Sequence, residues 1–204
     1  MTRRILPVSF FTQPQVTFIA KKLLGKCLAT HFEGHLTVLR IVESEAYNGI
    51  TDKASHAFNS RKTKRTQIMY ENGGRAYIYL CYGIHQMFNI VTNVENIPHV
   101  ILIRGGEPLL GIETMSLRTG KNKSDPTISR GPGNVCKSLG IHTGYNGHIL
   151  NSEEMYIYDD GFKIKNSLIG ISPRIGVSYA GEDALLPYRF FIKGNPYVSG
   201  RWRN

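Results

Sequence analysis

Acid is scarce in this chain: 15 Asp and Glu stand against 25 Lys and Arg in 204 residues, a formal net charge of +10. Such a surplus attracts polyanions and makes their binding salt-dependent, but it says nothing about which polyanion is bound. Cysteine is scarcer still. Cys27, Cys81 and Cys136 are odd in number, far apart and set among apolar neighbours. No disulfide framework or paired-cysteine metal motif can be drawn from them, so reduced core residues in a reducing compartment are expected. His31, His35, His99, His142 and His148 lack ligand spacing, and no metal is expected. No apolar run approaches the roughly 18 to 20 residues that cross a bilayer. Residues 1–7 carry two arginines without the apolar stretch or cleavage site of a secretory signal. The expectation is a cytoplasmic monomer without membrane contact, nucleoid-associated if bacterial. Repeats, linkers and low-complexity tracts are also missing. With 41% hydrophobic and 20% charged residues, the whole chain should fold, and 1–204 is read as one domain.

What is present has two periodicities. Val16, Ile19, Ala20, Leu23 and Leu24 follow helical spacing, with Thr12-Gln13-Pro14 before them and Gly25 after, which predicts an amphipathic helix. Beyond Lys26 the pattern changes to short runs rich in Val, Ile, Tyr and Thr, broken by Glu33-Gly34, Asn72-Gly73-Gly74 and the stretch 93–98. Strands are expected at 36–47, 76–80, 87–92, 100–104, 170–179 and 188–192, mostly paired antiparallel. Helices are expected at 110–117 and 133–139, and a mobile loop at 119–130. Together these predict an α+β domain with a curved, mainly antiparallel sheet flanked by short helices.

Alternation along an extended 40–47 segment puts Glu43, Glu45 and Tyr47 on one face. One glutamate on a strand is more often an edge residue in water. Here acids are few, and the following loop supplies His56. A partly desolvated glutamate beside aromatic rings can act as general base towards water. Tyr77 and Tyr79 likewise share a face, and packing along a sheet accounts fully for Tyr77. Tyr82, next to Gly83 where the strand must turn, is an exposed ring suited to stacking on or wedging between bases. Asn89 lies within an apolar run and must be bonded or functional. Arg104 ends another run and suits either a glutamate or a phosphate partner. Backbone amides at Gly131-Pro132-Gly133-Asn134, a helix start, could hold a phosphate.

With these residues in place, the chain resembles the alkyladenine, or 3-methyladenine, DNA glycosylases of the vertebrate type, which are distinct from helix-hairpin-helix glycosylases. The match runs in order from Leu6 to Ser199. It includes Phe10-Phe11, Leu23-Leu24-Gly25, Arg40-Ile41-Val42-Glu43-Ser44-Glu45-Ala46-Tyr47, His56, the stretch 77–83, Asn89 and Leu102-Ile103-Arg104. It continues through Glu107-Pro108-Leu109, Gly131-Pro132-Gly133, Arg174-Ile175-Gly176-Val177 and Ala180-Gly181-Glu182. The stretches 93–98 and 117–130 depart from the family pattern. The resemblance implies a compact mixed domain without metal or cofactor, acting on double-stranded DNA that contains damaged purines of the 3-methyladenine, 7-methylguanine, hypoxanthine and ethenoadenine class. It implies that Glu45 is the general base, holding the attacking water with Arg104 and a main-chain carbonyl near Ile175. Tyr47, His56 and Tyr79 would enclose the flipped base, Tyr82 would enter the duplex, Asn89 would disfavour normal guanine, and Met69 would lie near the DNA. No lysine lies in these clusters to attack the sugar, so a monofunctional enzyme without lyase activity is expected. Two other readings remain open at this level. One is a carbohydrate-directed glycosidase using Glu43 and Glu45 as its carboxylate pair. The other is a non-catalytic single-stranded nucleic-acid-binding module with Tyr77 and Tyr79 as stacking platforms.

Overall fold

A computed structural model describes residues 3–200; residues 1–2 and 201–204, the ends of the expected domain, lie outside the described residues. The longest strand, β3 (His35–Tyr47), is the axis of the molecule. On one side it pairs with β6 (His99–Leu110), followed by β5 (His85–Thr92) and β4 (Ala76–Cys81). On the other side its first half pairs with β2 (Cys27–Phe32), and beyond β2 lie β7 (Met155–Asp159) and β1 (Arg4–Ile5). The second half of β3 takes a different partner, β9 (Arg189–Ile192), which pairs in turn with β8 (Ile169–Ser172). Every named strand pair is antiparallel. The α+β architecture built on an antiparallel sheet agrees with the sequence pattern.

The two faces of the sheet follow from alternation. Ile78, Ile90, Ile101, Ile103 and Ala46 point into the main core, where α2 (Val16–Leu23) adds Val16, Ile19 and Leu23 and α4 (Pro132–Leu139) adds Val135 and Leu139. Each buried Val, Leu or Ile side chain among them contributes about 1.5–3 kcal/mol. Their neighbours one position along, Tyr77, Val91, Val100 and Tyr47, face the opposite way into a smaller cluster with Met69 and Tyr70. That second face holds the site.

Several boundaries differ from the sequence reading, each for a local reason. A short α1 (Val8–Phe11) precedes α2, and the start of α2 at Gln15 has no side-chain cap, so Thr12 does not serve as one. β6 runs to Leu110, and the next helix, α3 (Ile112–Thr119), starts later than expected because Gly111 takes a left-handed φ of 78° at its N-cap. Only the first third of 170–179 is strand. Pro173 lacks an N–H for the ladder and Gly176 turns at φ 79°, so 173–177 becomes a loop followed by the 3-10 segment Ser178–Leu185. The segment 119–130 is not a free loop. Ser116 Oγ donates to the Lys121 carbonyl at 2.6 Å, Lys121 Nζ to the Thr127 carbonyl at 2.8 Å, and Ile128 is fully buried. Among the described residues no helix is long and apolar enough to cross a membrane.

Candidate active site

The second face of the sheet is hollowed into a pocket of about 490 Å³, a volume in the range of small-molecule sites. Strands β3, β5 and β6 provide its floor through Tyr47, Asn89, Leu102 and Arg104. Tyr77 and Tyr79 of β4 form one wall with His56 and Met69, and the loop 173–177 closes another with Ile175 and Val177. Pro132, the first residue of α4, sits on the rim, so that helix start opens towards the same hollow.

Glu45 lies immediately behind this floor and is fully buried. The Ile175 amide donates to its Oε1 at 2.7 Å, the Tyr47 hydroxyl to Oε2 at 2.9 Å, and Arg104 Nη1 to Oε2 at 3.4 Å. All three donors line the pocket, so the carboxylate is one hydrogen bond away from it. Arg104 Nε also stands 3.3 Å from Glu45 Oε1. Burial raises the proton affinity of Glu45 above the ordinary carboxylate level, while Arg104, the Ile175 amide and the Tyr47 hydroxyl act against that rise. Burial, then the neighbouring Glu45 charge, push the Tyr47 phenol well above its usual value, so it remains a donor. The Ile175 amide thus bonds Glu45 directly, a contact that the resemblance did not name. Arg174 and Asp52 anchor its loop: the guanidinium bonds Asp52 Oδ1 at 2.9 Å and the Ala46 carbonyl at 3.0 Å, with its centre 4.7 Å above the Tyr47 ring.

On the aromatic wall, His56 Nδ1 lies 2.8 Å from the Tyr77 hydroxyl and Arg65 donates to Nε2 at 3.4 Å. Since a guanidinium cannot accept, Nε2 is the acceptor and Nδ1 carries the proton. Burial, with Arg65 and Arg61 nearby, lowers His56 to about 4, so the ring is neutral at physiological pH. Tyr79 packs edge-on against His56 at 4.7 Å between ring centres, and Arg65 covers Tyr79 at 4.6 Å. Asn89 is buried and donates from Nδ2 to the Tyr77 carbonyl at 3.1 Å; it is thus both a bonded core residue and part of the pocket. Tyr82 and Gly83 both have positive φ, 50° and 73°, and the Ile84 amide bonds back to the Cys81 carbonyl at 3.1 Å. This is the geometry of a type I′ hairpin turn. A bulky side chain is unusual and strained at its first central position, yet the Tyr82 ring stands 90% exposed at the mouth of the pocket.

The model of the family described as methylpurine-DNA glycosylase matches residues 9–196. A Chlamydia abortus protein, given by inference the name 3-methyladenine DNA glycosylase, is 46% identical over 92% of this chain and 98% of its own length. Proteins with the same inferred name from Methanocella arvoryzae and Clostridium perfringens are 42% and 41% identical, covering 97% and 93% of this chain and 96% of each relative. The chain belongs to the methylpurine-DNA glycosylase family.

Not every feature of this methylpurine-DNA glycosylase-family site was visible beforehand. Tyr47, His56, Tyr79, Asn89, Arg104 and Ile175 line one hollow with Tyr82 at its mouth, and Glu45 lies behind its floor, bonded to three of the lining residues. Met69 is fully buried and lines the pocket wall. Cys81, expected in the core, is half-buried and lines the pocket, because its strand ends there in the exposed turn. Arg65 and Tyr179 were missed. Arg65 belongs to the exposed run 61–65, which in sequence is indistinguishable from a solvated basic loop, and Tyr179 falls in the segment misread as strand. Among the described residues no cluster of three or more His, Cys, Asp or Glu is arranged to hold a metal.

Proposed function

We propose that this chain is a monofunctional DNA glycosylase of base excision repair. It turns an alkylated or deaminated purine, of the 3-methyladenine, 7-methylguanine, hypoxanthine and ethenoadenine class, out of duplex DNA and hydrolyses its N-glycosidic bond. The observation that carries this reading is a buried carboxylate, Glu45, one hydrogen bond behind an aromatic pocket whose mouth bears an exposed tyrosine. Flipping costs a few kcal/mol and least at a base whose pairing is already damaged. Tyr82 fills the gap left in the stack, and the exposed basic run 61–65 beside the pocket holds phosphates.

Inside the pocket, Tyr47, Tyr79 and neutral His56 enclose the purine; a cationic alkylated ring gains from electron-rich faces. Asn89 crowds the exocyclic amino group that distinguishes normal guanine. The glycosidic bond breaks with its electron pair going to the base, and positive charge develops on the sugar. Ionised Glu45 stabilises that charge and takes the proton of the water that attacks the sugar carbon. The products are the free base and an abasic site. No lysine is among the residues lining the pocket, which supports hydrolysis without strand cleavage.

Both competing readings meet specific obstacles. Glu43 is a poor partner for Glu45 as acid or nucleophile, since four donors occupy its oxygens. Tyr77 is 1% exposed and offers no platform to a single strand. The test is single-turnover excision from duplexes carrying hypoxanthine, ethenoadenine or 7-methylguanine, comparing the wild type with Glu45→Gln. Release by the wild type and loss in the variant are expected. Equal release by both would overturn the assignment.

A further inference from the structure

The proposed chemistry uses one of two buried carboxylates on β3 and leaves the other, Glu43, without a task. Glu43 is fully buried and bonded on every side. Its Oε1 accepts from Arg189 Nε at 2.6 Å, Ser199 Oγ at 2.9 Å and Arg104 Nε at 3.3 Å, and its Oε2 accepts from the Ser199 amide at 2.7 Å. A carboxylate with about four acceptor positions is thereby saturated. It cannot reach a substrate, yet it touches Arg104, which lines the pocket.

We propose that Glu43 is a positioning residue: anchored by Arg189 and Ser199, it holds Arg104 at the distance from Glu45 that leaves the latter free to accept a proton from water. This rests on the reading of Glu45 as general base. The guanidinium of Arg104 stands between two carboxylates, its Nε 3.3 Å from Glu43 Oε1 and 3.3 Å from Glu45 Oε1. Its Nη2 donates to Ser199 Oγ at 3.2 Å. Arg104 stands 3.3 Å or more from both carboxylates, beyond the ~2.7–2.9 Å of a tight charged hydrogen bond, whereas the bonds joining Glu43 to Arg189 and Ser199 are 2.6 to 2.9 Å. Glu43 is thus fixed in place independently of Arg104. Arg189, Glu43, Arg104 and Glu45 alternate in sign and sum to zero, which keeps four buried charges compatible with folding.

The backbone is shaped for this arrangement. The ladder between β3 and β6 slips at Ile41/Glu43 and again at Glu43/Ser44, an irregularity centred on Glu43. Glu43 sits opposite Gly105, where a Cβ would collide with the Tyr197 carbonyl, so glycine there admits the segment that delivers Ser199. The side chain of Arg189 also donates to the Ser199 carbonyl.

If Glu43 lost its charge, Arg104 would face one carboxylate and close on it. The groups around Glu45 are Arg104 on β6, Tyr47 on its own strand, the Ile175 amide, and Glu43 backed by Arg189, with Arg174 behind the Tyr47 ring. Removing the repulsion of Glu43 and tightening Arg104 both favour ionised Glu45 and weaken it as a base. The maximal rate should therefore fall while its acid limb moves to lower pH. A purely structural role would leave that limb in place.

The experiment measures single-turnover excision at saturating enzyme on a hypoxanthine duplex, together with the affinity for that duplex, in Glu43→Gln, Ser199→Ala, Arg104→Ala and the Glu43→Gln/Arg104→Ala double variant. Glu43→Gln should lose about 100-fold in rate, the scale of a misplacement of about 1 Å, with duplex affinity unchanged and the acid limb shifted down. Ser199→Ala, which keeps the charge and removes one hydroxyl, should lose about tenfold. In the Arg104→Ala background Glu43→Gln should add nothing, because its effect passes through that guanidinium. Wild-type rates in Glu43→Gln and Ser199→Ala would overturn the inference, as would a loss matched by weaker duplex binding with the acid limb unmoved. If Glu43→Gln does not fold, Ser199→Ala decides. Activity surviving in Glu45→Gln would instead remove the functional reading itself.

Discussion

Replacing Tyr47 with phenylalanine removes one oxygen from the pocket wall and leaves the ring. That oxygen carries the 2.9 Å bond to Glu45 Oε2. A hydrogen bond to a charged group contributes about 1.5–3 kcal/mol, here felt only when Glu45 is ionised, so its loss shifts the balance towards protonated Glu45 by about 10- to 100-fold. Burial already raises the proton affinity of Glu45, and the hydroxyl is one of three groups opposing that rise. Removing it moves the acid limb of single-turnover excision to higher pH, opposite to the shift expected for Glu43→Gln. On that limb Tyr47→Phe should be slower by the same factor, and at alkaline pH, where both enzymes hold Glu45 ionised, the rates should converge. Affinity for a lesion duplex should be unchanged because the stacking face is intact. Superimposable pH profiles, or an equal loss at every pH, would refute the reasoning.

Three further outcomes are expected. Tyr82→Gly relieves a bulky residue at φ 50°, so thermal unfolding should show stability within about 1 kcal/mol of the wild type, while excision from duplex slows; parallel loss of both would place the ring in the fold and not in the DNA. Asp52→Asn breaks the buried pair with Arg174 and should cost about 3–5 kcal/mol in denaturant unfolding, since an uncompensated guanidinium remains; a loss under 1 kcal/mol, the scale of a surface pair, would contradict that. His56 is held neutral by burial, its value lowered from 6.5 to about 4. The fold therefore gains from it above the unfolded-state value, and melting temperature should decline as pH drops through that window. His56→Gln should flatten the decline, and an unchanged slope would show that other groups cause it.

Much of the sheet was legible because strand alternation is local. Glu45 and Tyr47 share a face of β3, as Tyr77 and Tyr79 share one of β4, and the pocket is lined accordingly. Where both faces are covered the signal vanishes. Five of the six residues of β2 are buried and show no alternation, and that strand was not picked out; neither was β7. Apolar composition without alternation misled in the other direction at 173–179, where a proline and a glycine override it. Polar composition misled at 119–130, whose backbone is tied down by side chains several residues away.

The amino-acid sequence by itself determined the period-two faces, the turn at Tyr82-Gly83, the basic surface and, through an ordered run of matching residues, the family. Only the tertiary structure decided that four donors occupy the oxygens of Glu43 while three hydrogen bonds reach Glu45, that Ile175 offers an amide, and that Arg174 and Asp52 hold its loop. The reason is separation along the chain. The bonds that fix these roles join residues 59 to 156 positions apart, and no local pattern of side chains encodes which distant segments pack together.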